Sequence, residues 1–439
     1  MGAKEKKQNL STSEIASPSL PKMDLKKKKK EKVSKSQAIT CPSFSKKDLV
    51  ITNPSHSKMD LQEAMKKQSD VAMFLTGKVI SAVARNSNFI FSPASINAVL
   101  IMVAASIEEE TLRSFILSCL GSSSSDELYA VFREIASIIP VNGSTNDGGP
   151  KIAAAYGVWM EQSLSVKPSL KDLFENFFKA AFAQVDFRFK AEKVRVEVNA
   201  WASNHTNGLI EELLPPGFVK SDTACIYGNA LYFKGTWQEK FQKDLTTNKE
   251  FHLLNDTSVS VPFMGSAEDQ YIEAYDGFKV LQLPFRRGSD SDHSFSMYFY
   301  LPDKKDGLDN LVKKMTLTPG FVDNHIPRSD VKVGEFKIPK FRIEFGFEAS
   351  KAFNEFELVD EIKISLYHKA WLEINEDGAE ACASSKPYVR IKGCRWKPTI
   401  DFVADHPFLF LIKEDKTGIV LFAGQILDPS ESSFALDRI

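Results

Sequence analysis

The order of residues predicts an α+β domain with a large antiparallel sheet, and three observations carry that prediction. Helix-period apolar patterns run from Met59 to about Leu214, apolar strand-like runs take over after Thr223, and the two textures do not alternate. The 439 residues are 43% hydrophobic, and 33 Phe far exceed the ten Tyr and five Trp, which points to a densely packed interior. No linker-like stretch breaks residues 59–430, so they read as one domain between an arm, residues 1–58, and a tail, residues 431–439. This composition excludes collagen-like and wholly disordered classes.

The arm carries 14 Lys against five acidic residues, net +9; the remaining 381 residues carry 42 basic and 52 acidic side chains, net −10. Rich in Lys and Ser and lacking periodic apolar positions, the arm reads as disordered. Its run Lys26-Lys27-Lys28-Lys29-Lys30-Glu31-Lys32 suits an import receptor or a polyanion such as nucleic acid, and reads equally as a solubilising tail. The acidic body is a poor nucleic-acid platform. No signal-peptide stretch opens the chain, and Lys6 stands where myristoylation wants Ser or Thr, so a cytoplasmic or nuclear location is expected. Five cysteines, Cys41, Cys119, Cys225, Cys382 and Cys394, lack C-x-x-C spacing and fit a reduced compartment.

Taken in order, Leu61, Met65, Val71, Phe74, Leu75, Val79 and Ile80 recur on one helix face. Ser92-Pro93 reads as a capping Ser with Pro at the first helical position. The window Ile90–Ile107 is the most apolar, but Ser92, Pro93, Ser95 and Asn97 interrupt it. It reads as a buried helix, with no membrane span expected. Further helices are predicted over Glu127–Ile139, Leu170–Phe182 and Glu192–Leu214. Strands are predicted over Ala224–Phe233, Val259–Met264, Phe278–Pro284, Phe295–Leu301, Lys337–Phe345 and Phe408–Gly424.

Catalytic constellations are missing from the sequence: no nucleophile elbow, P-loop, dinucleotide fingerprint or H-E-x-x-H. The seven His are scattered singly. His406 beside Asp405 could form an acid–base pair, but a lone His before Pro407 at the start of an apolar strand reads as structural. The expectation is a protein that is not an enzyme and needs neither metal nor cofactor.

The most informative segment is Glu376 to Asp401, polar, basic and longer than ordinary connections. Its first half alternates strictly. Ala379, Ala381, Ala383, Ser385, Pro387, Val389 and Ile391 share one parity; Glu380, Cys382, Ser384, Lys386, Tyr388, Arg390 and Lys392 share the other. Small or apolar residues on one face and mostly polar ones on the other mark a half-buried strand. Gly378 offers a pivot before it. An ordinary edge strand flanking a basic loop fits the same pattern.

Ordered motifs along residues 59–430 resemble the serpin family, in its plant type. They are Phe91-Ser92-Pro93-Ala94-Ser95-Ile96, Asn229-Ala230-Leu231-Tyr232-Phe233-Lys234-Gly235-Thr236-Trp237, Ile338-Pro339-Lys340-Phe341 and His368-Lys369-Ala370. Phe295-Ser296-Met297-Tyr298 with Leu301-Pro302, Glu373-Ile374-Asn375-Glu376-Asp377-Gly378 and Phe402-Val403-Ala404-Asp405-His406-Pro407-Phe408 complete the set. The resemblance implies about nine helices, three β-sheets and an exposed reactive-centre loop, here about residues 376–401. It further implies that a protease cleaves this loop, which then inserts as a new strand and traps the enzyme as an acyl-enzyme.

Residue by residue, the resemblance makes Glu376, Asp377, Gly378, Ala379, Glu380, Ala381, Cys382 and Ala383 the hinge. Counting fifteen from Gly378 places the scissile bond at Lys392-Gly393. A basic residue there implies a trypsin-like serine protease as partner, or a cysteine protease of like preference. Ser92, Ser95, Asn229 and His368 correspond to the shutter that governs opening of the main sheet, and Trp237 to the breach where the hinge enters. The sequence departs from the inhibitory pattern at Ala379, where Thr or Ser is usual, at Cys382 and Ser384-Ser385, and at Lys386-Pro387. Pro lacks a ladder donor and is normally absent from central strands. The alternative expectation is a non-inhibitory serpin acting as a binding or scaffold protein.

Overall fold

A computed structural model describes residues 58–107, 109–139, 149–288, 292–353, 364–379 and 399–431. The readings on arm residues 1–57, tail residues 432–439 and hinge residues Glu380, Ala381, Cys382 and Ala383 with Lys392-Gly393 lie outside the described residues. The helices are α1 (Lys58–Lys66), α2 (Gln68–Val79), α3 (Pro93–Ser106), α4 (Glu110–Cys119), α5 (Ser125–Ile138), α6 (Pro168–Asp172), α7 (Phe187–His205), α8 (Leu308–Leu317) and α9 (Phe321–Asn324). The strands begin with β1 (Phe89–Phe91), β2 (Lys151–Glu161), β3 (Ala181–Val185), β4 (Cys225–Thr236), β5 (Thr247–His252), β6 (Ser258–Gly265), β7 (Gln270–Tyr275) and β8 (Phe278–Pro284). They continue with β9 (Phe295–Pro302), β10 (Asp330–Pro339), β11 (Phe341–Glu348), β12 (Ile364–Asn375), β13 (Gly378–Ala379), β14 (Thr399–Val403), β15 (Phe408–Glu414) and β16 (Val420–Ile426).

These strands form three sheets. The first runs β11-β12-β13-β4-β2-β3. The second runs β1-β16-β15-β9-β8-β7, and the third groups β5, β6, β10 and β14. β10 pairs with β7 at Asp330 and with β6 at Ile338, so it joins the second sheet to the third.

α3 fills the main core beside β4 and β16. Its start is set by Ser92, whose hydroxyl accepts the Ser95 N–H at 3.1 Å, with Pro93 at the first helical position. Every residue from Pro93 to Ala105 is buried. α7, capped by Asp186, lays Val194, Val198 and Ala202 over Trp159, Ile226, Ala230 and Tyr367, forming a second, smaller core.

Several sequence readings need correction. β2 and β3 lie inside the half read as helical, because both faces of alanine-rich β2 pack against neighbours and mask a period of two. The helix read over Leu170–Phe182 ends by Phe177, and Lys179 at φ +54° turns the chain into β3. The one read to Leu214 ends at His205, stopped by left-handed Asn207 and Gly208. α8 interrupts the strand-rich half. The runs Lys337–Phe345 and Phe408–Gly424 are each two strands, the second split by a turn with Gly418 at φ +78°.

Candidate functional site at the seam between β4 and β12

β4 and β12 lie side by side in parallel, from Ile364 opposite Cys225 to Trp371 opposite Tyr232. Above Trp371 the two strands diverge and β13 occupies the gap. Ala379 pairs with Ile374 on one side and Gly235 on the other, and Gly378 with Asn375 and Thr236. Gly378 has φ +144°, and a Cβ there would lie 2.1 Å from the Gly235 carbonyl oxygen, so only glycine fits.

The reversal between β12 and β13 is held from every side. Trp237 Nε1–H donates to the Asn375 carbonyl at 2.9 Å, its backbone N–H to the Asp377 carbonyl at 3.0 Å, and Phe241 N–H to the Glu376 carbonyl at 3.0 Å. The Trp237 ring stacks on Phe285 at 4.7 Å. Lys240 Nζ reaches Asp377 Oδ1 at 2.7 Å. The Glu376 carboxylate, in a residue only 6% exposed, accepts from Thr246 Oγ1 at 2.9 Å and pairs with Lys340 Nζ at 2.9 Å. Burial pushes the Glu376 carboxyl up, but the bonds from Lys340 and Thr246 outweigh it and hold the group below its ordinary value.

Halfway down the seam, His368 bridges four elements. Its Nε2 accepts the Ser92 N–H at 3.0 Å, which leaves Nδ1–H to donate to Asn229 Oδ1 at 2.9 Å. The Asn229 amide continues to the Ala155 carbonyl at 3.4 Å. Full burial lowers the His368 pKa to about 3 and keeps the ring neutral. On the opposite face, buried Lys369 ties β12 to the α7–β4 connection: Nζ reaches Glu344 at 2.6 Å and the Glu212 carbonyl at 2.7 Å.

The family model of serpins (serine protease inhibitors) matches residues 66–429. The chain belongs to the serpin family. It is 64% identical over 437 residues to the Arabidopsis thaliana protein named probable non-inhibitory serpin-Z5, covering 98% of this chain and 100% of that relative. It is 58% identical over 441 residues to serpin-Z2 of the same plant, with 100% of both chains covered. The solved structure of Arabidopsis AtSerpin1 in its native stressed conformation matches at 46% identity and a TM-score of 0.77, covering 85% of this chain and 100% of that one. Uncleaved ovalbumin shares the fold at 24% identity and a TM-score of 0.68, covering 83% of this chain and 100% of its own.

In this serpin the structure brings Ser92, Ser95, Asn229 and His368 together, and ties Trp237 to the Asn375 and Asp377 carbonyls of the turn that also holds Glu376 and leads into Gly378 and Ala379. Sequence reasoning missed Lys340, Thr246, Lys240 and Lys369 as partners of the seam. Lys340 and Lys369 stood inside quoted motifs, but no sequence pattern shows which carboxylate each one meets. Among the described residues no helix is long and apolar enough to cross a membrane.

Proposed function

We propose that this serpin presents its reactive loop, about residues 376–401, as bait to trypsin-like serine proteases, with Lys392-Gly393 as the bond attacked, and that the cleaved segment enters the β4–β12 seam. The seating of Gly378 and Ala379 carries the reading. Ile374 and Gly235, which flank Ala379, are 139 positions apart (374 − 235). His368 and Asn229, paired in the closed seam below, are also 139 apart (368 − 229). The two strands therefore need only part, without sliding, for the seated pair to extend downward as a full strand. That exchange replaces one parallel ladder with two antiparallel ones.

If the ladder continued on this register, Ala381 would come opposite Phe233 and Leu372, Ala383 opposite Leu231 and Ala370, and Ser385 opposite Asn229 and His368. All are small residues for the main-core face. Fifteen extended residues span roughly 50 Å, enough to carry an attached enzyme from one pole to the other. Incubation with trypsin is expected to yield an SDS-stable covalent complex and a C-terminal peptide beginning at Gly393. A peptide beginning at Ile391 or Trp396 would refute the assigned bond.

A second reading, a serpin that is cleaved without trapping the protease, is favoured by Pro387 and by the 64%-identical relative, which is named a probable non-inhibitory serpin. Pro387 would meet Tyr227 and Leu366 without a ladder donor, and one unpaired buried carbonyl costs about 1–3 kcal/mol. Complete cleavage with no complex would select this reading.

A further inference from the structure

We propose that Asp405 and His406 form a proton-held clasp at the exit of β14: it is closed while both nitrogens of the His406 ring carry hydrogen, and it loosens as rising pH strips one away. The clasp works whether or not the reactive loop traps a protease. β14 ends at Val403, and the chain then passes from the third sheet to the second. On the near side, Ala404 N–H donates to the Lys337 carbonyl of β10 at 2.9 Å, and His252 N–H of β5 to the Asp405 carbonyl at 2.7 Å. On the far side, Nε2 of buried His406 lies 2.7 Å from the Pro302 carbonyl at the end of β9. Two adjacent residues thus fasten the exit of β14 to both sheets.

The hydrogen count at His406 follows from what each ring nitrogen faces. A carbonyl oxygen only accepts, so Nε2 must carry a hydrogen. Nδ1 lies 2.7 Å from Asp405 Oδ1. An ionised carboxylate also only accepts, so this contact is a hydrogen bond only when a proton sits between the two atoms. A neutral ring with its hydrogen on Nε2 would set the Nδ1 lone pair against the carboxylate, in a residue only 7% exposed. Burial pushes the Asp405 carboxyl up, but the bond and charge of His406, with help from His252 and Lys305, outweigh it and hold the group below its ordinary value. The proton therefore belongs to the ring, and the pair is an imidazolium against a carboxylate.

The groups packed around the pair do not take over that proton's part. His252 Nε2 stands 4.0 Å from Asp405 Oδ2, too far for a hydrogen bond, and its Nδ1 is 3.0 Å from Ser258 Oγ. Lys305, in the β9–α8 connection, acts on Asp405 through its charge. Lys337 of β10 turns its Nζ to the Leu245 carbonyl at 3.1 Å. The titratable groups of β9 are Tyr298 and Tyr300, both buried, and the first charged residue of β15 is Lys413, five positions beyond Phe408. In the unfolded chain an imidazole keeps its second proton only below about pH 6.5. The fold needs that proton, so the contribution of the clasp is complete below this pH and is lost as the pH rises above it.

The test uses the full chain and Asp405→Asn. An amide at this position can donate to a neutral Nδ1, so the variant satisfies the ring without the extra proton. First, nitrogen NMR reads the histidine rings at pH 7.5, the His406 signals being those lost in His406→Gln. Both nitrogens of His406 are expected to carry hydrogen in the parent, and a bare Nδ1 would overturn the clasp. Second, denaturant unfolding is compared at pH 6.5 and 8.5. The unfolding constant of the parent is expected to rise at least about fivefold more than that of Asp405→Asn. Buried thiols such as Cys225, which ionise more readily once unfolded, weigh equally on both proteins. Hydrogen exchange at Ile400–Ala404, compared between the two proteins at each pH, should be faster in the parent at pH 8.5 and alike at pH 6.5. Equal responses to pH would overturn the inference. Should Asp405→Asn fail to fold, the NMR reading of the parent decides by itself.

Discussion

Lowering the pH from 7 to 5 is expected to weaken this fold through one residue, His368. In the native seam Nε2 must accept from the Ser92 N–H, so a proton there would set donor against donor in a fully buried site. Burial lowers its pKa from 6.5 to about 3, so the opened or unfolded chain takes up the proton first. The stability is therefore complete above pH 6.5 and is lost as the pH falls from 6.5 toward 3. At pH 5, 1.5 units below the unfolded value, the loss is about 2 kcal/mol. Depressed carboxylates such as Glu376 and Asp405 keep their contribution above their unfolded values of 4.5 and 3.8, so they leave this window clear. The assay is denaturant unfolding at pH 7, 6 and 5 for the chain and for His368→Gln, a non-titrating residue that can both accept from Ser92 and donate to Asn229. The parent should lose about 2 kcal/mol more than the variant across that range. Equal losses would refute the assignment of the pH dependence to His368.

Gly378→Ala should unseat β13, because the added methyl meets the Gly235 carbonyl at φ +144°; a cost of about 1–3 kcal/mol is expected. Hydrogen exchange at Gly235–Trp237 should accelerate, and unchanged protection there would count against the steric argument. Lys340→Met removes the cation from the buried Glu376 carboxylate. Because Lys340 is itself 34% exposed, the expected loss is discounted to about 1–3 kcal/mol. That loss should shrink as the pH falls below 4.5 and Glu376 protonates, and a pH-independent difference would contradict it.

The sequence by itself determined the class, the buried α3 with its Ser92 cap, and the alternating parity after Gly378. Each is a local property. A capping hydroxyl, a period of two or a Pro at a first helical turn acts within a few residues and leaves its mark in the order of side chains. The strand read over Ala224–Phe233 also put Asn229 on β4. The tertiary structure alone decided what these residues meet. Buried β2 was misread because a strand covered on both faces has no polar alternation to reveal it. The pairing of Lys340 with Glu376, and of Lys369 with Glu344, depends on strands brought together across the fold. The offset of 139 between β4 and β12 is likewise invisible in one dimension. The directly paired strands carry it from Ile364 opposite Cys225 to Trp371 opposite Tyr232, and the seated Gly378 and Ala379 keep it above them.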